Sequence, residues 1–254
     1  MDAVTALKDR VFRTFSFLEP TYAYNRWSRE AWIKTEAALL PAGARVLDVG
    51  AGSCPHRRDF SHCTYVAHDF KKLKQEQLQG ETGYGQIDVV SDICSIPLPD
   101  QSFDAILCTE VLEHVRRPIE AMMELARLLR PAGLLLLTAP LRSALHQEPY
   151  HFYGGYTPYW YRYCLDSARF DRIEIRPVGG LFRAYAEEGL RVARYLCPLV
   201  SPKSVVKWCL TPLWLALLPC LLLLAPLMSA LDSLVPIAGC TVGYHVRARK
   251  ASSP

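Results

Sequence analysis

The sequence predicts a doubly wound α/β fold: a mostly parallel sheet with helices on both faces. Three observations predict it. ARVLDVG (44–50) is a short valine-rich run that stops at the glycine-rich turn Gly50-Ala-Gly52, the form of a buried parallel strand. Between residues 64 and 140 further short apolar runs alternate with a helical pattern, the order expected of a sheet covered on both faces. At 254 residues, half of them hydrophobic, the chain is long enough for one full core with an elaboration.

In chain order, residues 3–40 place Val4, Leu7, Val11, Phe15 and Leu18 at helical spacing, then Trp27, Trp32, Leu39 and Leu40 among charges. An N-terminal helical cap is therefore expected over 1–40, ended by Pro41-Ala-Gly43. TYVAHDF (64–70), YGQIDVVSD (84–92) and SFDAILCTE (102–110) are the next strands. PIEAMMELARLLR (118–130) is a helix with Pro118 in its first turn, and GLLLLTAP (133–140) is a strand leaving Gly133. FDRIEIRPVGG (170–180) and CTVGYHVRARK (240–250) complete the strands. The α/β domain is expected over 41–189 and 239–250, with a hydrophobic helical insertion at 190–238.

Composition excludes some functions. The net charge of +4 is mild and the basic residues are scattered, so no nucleic-acid partner is expected. The nine cysteines form no CxxC pair and no Cys/His zinc spacing. No metal site is expected from them, and the reducing cytosol is the expected compartment. MDAVTALKDRVFRTF lacks the apolar stretch of a secretory signal.

The chemistry gathers at strand ends. Glycines at 50 and 52 let the backbone turn tightly and approach a ligand at the carboxyl edge of the sheet. A dinucleotide fingerprint would need a third glycine where Pro55 stands, which disfavours a nicotinamide cofactor. Asp69, at the end of the second strand, can accept both ribose hydroxyls of an adenosine; a solvated aspartate starting a helix is the alternative. Asp92 after the third strand can accept from an adenine amino group while Ile93 packs on the ring.

These positions stand within a larger pattern. VLDVGAGS is followed by Asp92, Pro97-Leu-Pro-Asp100, Ser102-Phe-Asp104, Leu112-Glu-His114 and Arg127-Leu-Leu-Arg-Pro131-Ala-Gly133. As a set, over roughly residues 40–180, this resembles the class I S-adenosylmethionine-dependent methyltransferases, above all the ubiquinone- and menaquinone-pathway group. The resemblance implies a Rossmann-like sheet of seven strands, six parallel and the last antiparallel, and S-adenosylmethionine as cofactor. It implies Asp48, Gly50 and Gly52 around the methionine end, Asp69 at the ribose, Asp92 and Ile93 at the adenine, and Glu110 near the cofactor's amino group. His114 would hold the loop that it opens. Two positions depart from the pattern: Ser53-Cys54 ends the turn where many relatives have another glycine, and Ala132 replaces a glycine. The second is a small change where φ is negative.

The acceptor side is built from PLRSALHQEPYHFYGGYTPYWYRYCLDSARF (140–170), dense in His146, Tyr150, His151, Tyr153, Tyr156 and Tyr159. H-x-x-P-Y-x-F-Y-x-x-Y-T resembles a subgroup associated with cell-envelope and polysaccharide methylation, whose aspartate and arginine are His151 and Gly155 here. His146 or His151 is the candidate general base, and Tyr150 the candidate for positioning the acceptor. Aromatic packing over the cofactor is the alternative, and SN2 transfer from a sulfonium depends mostly on alignment. The expected activity is methyl transfer to a small-molecule, lipid-linked or cell-envelope glycan acceptor. The alternatives are a quinone-precursor C-methyltransferase and a non-catalytic cofactor-binding protein of the same fold.

Within the insertion, Arg191, Arg194, Lys203 and Lys207 precede Cys209–Leu231, which carries no charge and is long enough to span a bilayer. A last strand that returns to the sheet forbids a single crossing. Peripheral or re-entrant contact at the inner face of the membrane is expected, with Pro212, Pro219 and Pro226 breaking a straight helix. A helical cap, or a homodimer through the same surface, is the alternative.

Overall fold

The computed structural model describes residues 11–12, 14–78, 83–200 and 204–252. Residues 1–10 of the expected N-terminal helix, and Lys203 in the insertion, lie outside them. The strands are β1 (Arg45–Val49), β2 (Thr64–Asp69), β3 (Val89–Val90), β4 (Phe103–Thr109), β5 (Leu129–Pro140), β6 (Phe170–Pro177) and β7 (Gly243–Lys250). The helices are α1 (Glu19–Tyr22), α2 (Tyr24–Ala38), α3 (Pro118–Leu128), α4 (Pro158–Ser167), α5 (Leu181–Leu196), α6 (Val205–Cys209) and α7 (Thr211–Leu234).

The chain divides into two units, one formed by Arg29–Arg176 with Gly243–Pro254, the other by Met1–Ser28 with Pro177–Val242. The divisions between these units fall at 28/29, 176/177 and 242/243.

In the sheet unit the seven strands run β3-β2-β1-β4-β5-β7-β6, with six parallel and β7 antiparallel to β5. The period-2 alternation of β1, β4 and β5 buries both faces. Leu47, Val49, Ile106, Cys108, Leu135 and Leu137 face a core shared with Met122 and Leu125 of α3 and Tyr161 of α4. Their neighbours Val46, Ala105, Leu107, Leu134 and Leu136 face Ile33 and Ala37 of α2. Strand order reverses between β1 and β4, so a crevice opens at their carboxyl ends.

Three local expectations change. β3 is two residues long, pairing His68 with Val89 and Asp69 with Val90 at one edge of the sheet. β5 begins at Leu129, not Gly133, and takes Pro131-Ala132-Gly133 as a register shift against β4. Ala132 there has φ of +61°, the left-handed region, so its replacement of glycine carries strain.

In the second unit, α5 and α7 form a helical pair. Trp214 Nε1 donates to the Ala193 carbonyl at 2.8 Å. The Asp232 carboxylate accepts from the Gly180 amide at 2.9 Å and so caps the start of α5. The prolines do not break α7, which runs unbroken for 24 residues with Pro212 in its first turn and Pro219 and Pro226 inside. A proline leaves the carbonyl four residues earlier without its helical donor. For Pro226 that carbonyl is Leu222, and the Tyr22 hydroxyl donates to it at 3.1 Å. α7 is long and apolar enough to cross a membrane, and most of it is exposed.

Candidate active site

The first turn after β1 is held open by its backbone. Gly50 and Gly52 have φ of +73° and +53°. The Gly50 and Ala51 amides donate to the His68 carbonyl of β2. A Cβ on Gly50 would stand 2.4 Å from Val111 Cγ2, closer than any side chain is tolerated. Cys54, at the end of the turn, also lies in the left-handed region at φ +56°.

Asp69 is buried and joins two turns, accepting from the Gly52 amide at 3.0 Å through Oδ2 and from the Lys71 amide at 2.8 Å through Oδ1. Each oxygen retains lone-pair capacity beyond those bonds. Asp48 is buried beneath the turn, and the Tyr65 hydroxyl donates to it. Burial pushes its pKa up to about 7, against the lowering effect of Tyr65, and the nearby Asp69 charge adds to the rise. Asp92 is exposed at the end of β3, its Oδ1 accepting from the Cys94 amide at 2.9 Å, beside the buried Ile93. Glu110 directly follows β4, with φ of +52°. Thr138 donates to its Oε1 at 2.8 Å, and Arg29 of α2 lies 3.5 Å from its Oε2.

The structure therefore gathers Asp48, Gly50, Gly52, Asp69, Asp92, Ile93 and Glu110 along the carboxyl edge of β1 to β4. Sequence reasoning missed three neighbours. Arg29 looks like any charge on a helical face. Tyr65 is one of several aromatics in a strand. Glu113 was visible only as the middle of Leu112-Glu-His114, yet it is 1% exposed. Burial holds the Glu113 carboxyl well above the usual range, with the Glu110 charge adding to it.

Across the crevice edge, the segment after β5 is fastened over the Leu112–His114 turn. The Phe152 amide donates to the Glu113 carbonyl at 2.8 Å, and the Tyr156 hydroxyl to the Leu112 carbonyl at 2.7 Å. His114 Nδ1 donates to the Tyr150 carbonyl at 2.5 Å, the loop-holding contact that the resemblance implied. Burial pulls the His114 pKa down to about 4, so its Nε2 carries a free lone pair. His146 is exposed, its Nδ1 2.9 Å from the Ala144 carbonyl. His151 Nε2 lies 2.9 Å from the Ser143 hydroxyl. The three imidazoles stand together, with ring centres 4.6–5.6 Å apart. Tyr150 packs edge-on against Phe70 just past Asp69, while Tyr159 is 83% exposed.

Residues 47–137 match the family described as a methyltransferase domain. The chain is 32% identical over 160 residues to a ubiquinone biosynthesis O-methyltransferase of Xanthomonas axonopodis pv. citri, covering 60% of this chain and 63% of that protein. It is 27% identical over 156 residues to a tRNA (carboxymethyluridine(34)-5-O)-methyltransferase of Arabidopsis thaliana, covering 59% and 37%. The matches thus span less than two thirds of these relatives' own length. The crystal structure of the [4+2]-cyclase SpnF shares the fold, with a TM-score of 0.55 at 17% identity over 88% of this chain and 81% of that one. With this strand order and this turn, residues 47–137 form a methyltransferase domain of the class I, S-adenosylmethionine-dependent kind.

Proposed function

We propose that the chain binds S-adenosylmethionine at the β1/β4 switch point and transfers its methyl group to a hydroxyl-bearing, lipid-linked acceptor. The observation that carries the cofactor assignment is the Asp69 carboxylate, 3.0 Å from the Gly52 amide and so level with a turn that has no Cβ in the way. A ribose fits that pairing. Ile93 and Asp92 suit the adenine at the next strand end. Glu110 suits the cofactor's ammonium, and Arg29 partly balances its charge.

Bound there, the cofactor supplies an electrophilic methyl group on a sulfonium sulfur. The protein's work is alignment and exclusion of water. The segment 141–156 closes over the Leu112–His114 turn, and His151, with Ser143 beside it, is the group we assign to take the acceptor's proton. Packing of Tyr150 on Phe70 supports a role in shaping the pocket more than one in contacting the acceptor.

The α5–α7 pair supports the lipid-linked reading. Leu213, Leu215, Leu222, Leu223 and Leu227 are exposed on α7, and a large exposed apolar patch marks an interaction surface. The insertion leaves from β6 and returns to its sheet neighbour β7, so a single crossing by α7 alone would strand one of the two. We infer a peripheral or re-entrant contact on the cytosolic face, with Arg191, Arg194 and Lys207 toward anionic headgroups. A quinone-type phenolic acceptor, in keeping with the ubiquinone relative, is one such lipid.

Incubation of the purified chain with methyl-labelled cofactor and fractionated cell extract tests this. Label in an organic-extractable lipid supports the reading. Label in polysaccharide or RNA, or tight cofactor binding without any product, overturns the acceptor assignment.

A further inference from the structure

The Leu112–His114 turn and the loop after β5 bring Glu113, His114 and His146 together, although His146 lies 32 residues from His114 in the chain. One ligand atom from each lies within 4.8 Å of the others. Glu113 Oε1 and His114 Nε2 are 3.8 Å apart. We propose that these three side chains bind a divalent transition-metal ion of the zinc or cobalt kind.

Two independent features support the assignment. First, both histidines have Nδ1 on a backbone carbonyl, His114 on Tyr150 at 2.5 Å and His146 on Ala144 at 2.9 Å. A metal-binding imidazole characteristically gives its other N–H to a carbonyl or carboxylate, which fixes the tautomer and aims the free nitrogen. Here that leaves Nε2 of each ring as the lone-pair donor. Second, Glu113 is 1% exposed, and its Oε2 is buried with no hydrogen-bond partner among the described residues. Without a metal the buried carboxyl keeps its proton; a cation bound through Oε1, which faces His114, takes the place of that proton and satisfies the group.

The donor set selects the ion. Two imidazole nitrogens and one carboxylate oxygen suit zinc, cobalt or iron better than magnesium or calcium, which prefer all-oxygen shells. Ligand distances of about 2.0–2.2 Å require the three atoms to approach more closely than they stand here. His146 can supply that movement, because it is exposed on a loop. Three protein ligands leave a further position open to water or an oxygen of a small molecule. His151, with its ring centre 4.6 Å from that of His146, borders that position. No zinc-like spacing was visible in the sequence, since the ligands come from two segments joined only by the fold.

The inference does not depend on methyl transfer, and its test needs no substrate. The full chain, freed of metal by chelation, is titrated with cobalt(II) and followed by visible absorption, with metal per chain measured by mass spectrometry. We expect one cobalt per chain, ligand-field bands, and no thiolate-to-metal charge-transfer band. His146→Ala should weaken binding at least tenfold, as should His114→Ala and Glu113→Gln. S-adenosylhomocysteine affinity serves as the check on folding. His146 is exposed, so its variant keeps the test decisive even where the buried ones fail to fold. Absence of ligand-field bands, bands unchanged in His146→Ala, or a thiolate band pointing to one of the nine cysteines overturns the proposal.

Discussion

Val111 fills the space that a side chain on Gly50 would need, its Cγ2 lying 2.4 Å from the position of a Cβ there. Val111 follows Glu110, so the turn after β1 and the turn after β4 are fitted to each other at the switch point. Gly50→Ala meets both this clash and an unfavourable φ of +73°. The left-handed conformation alone costs about 1–2 kcal/mol, and overpacking adds about 1–3. We expect a lower melting temperature and at least tenfold weaker binding of S-adenosylhomocysteine by calorimetry; wild-type affinity would show that the turn does not approach the ligand.

Asp69→Ala removes the carboxylate assigned to the ribose. Loss of a charge-assisted hydrogen bond should weaken cofactor binding by about 1.5–3 kcal/mol. The same change deprives the Gly52 and Lys71 amides of their acceptor, so the melting temperature should fall as well. A lower melting temperature with unchanged affinity would assign Asp69 to the turn and not to the ribose.

Ala132 holds φ at +61° where the resemblance points to glycine. Ala132→Gly should relieve left-handed strain and stabilise the protein by about 0.5–1 kcal/mol, the relief being offset in part by glycine's larger unfolded-state entropy. Urea unfolding gives the comparison. A destabilised variant would contradict the strain assigned to the start of β5.

Asp48 makes stability fall as pH rises. Its pKa is about 7 in the folded protein, against 3.8 without the fold. Between those values the folded state holds a proton that the unfolded state has released. Stability from this group is therefore complete below about pH 4 and lost as pH rises through 7. Asp48→Asn, which keeps an acceptor for Tyr65, should remove that slope and gain about 2–4 kcal/mol relative to the parent at pH 8. Parallel stability–pH curves for the two proteins would refute the burial argument.

Leu223 and Leu227 are 70% and 55% exposed on α7. Leu223→Asp with Leu227→Asp should abolish flotation with vesicles containing anionic lipid while leaving S-adenosylhomocysteine affinity unchanged. Equal flotation of parent and variant would place the membrane contact elsewhere. If the parent stays with the protein fraction and sediments as a dimer that the variant loses, the surface is a subunit interface.

Local patterns in the sequence are enough to set the sheet and the row of acids along its carboxyl edge. Period-2 burial, the glycine turn and acids at successive strand ends are local patterns, and a strand of valines cannot hide its two apolar faces except between helices. Gly50, Asp69 and Asp92 were therefore legible with no knowledge of what packs above them. The tertiary structure alone decided matters that turn on distant partners. The prolines of α7 were expected to break it, but helix packing and the Tyr22 hydroxyl, 200 residues from Leu222, sustain it. Ala132 looked harmless until its φ was fixed by the register of β5 against β4. Arg29 carried no signal and Glu113 only its place in Leu112-Glu-His114, because a charge declares its purpose only through its burial and the group opposite. The three histidines from two segments become a single cluster only when the loop after β5 closes on the turn after β4.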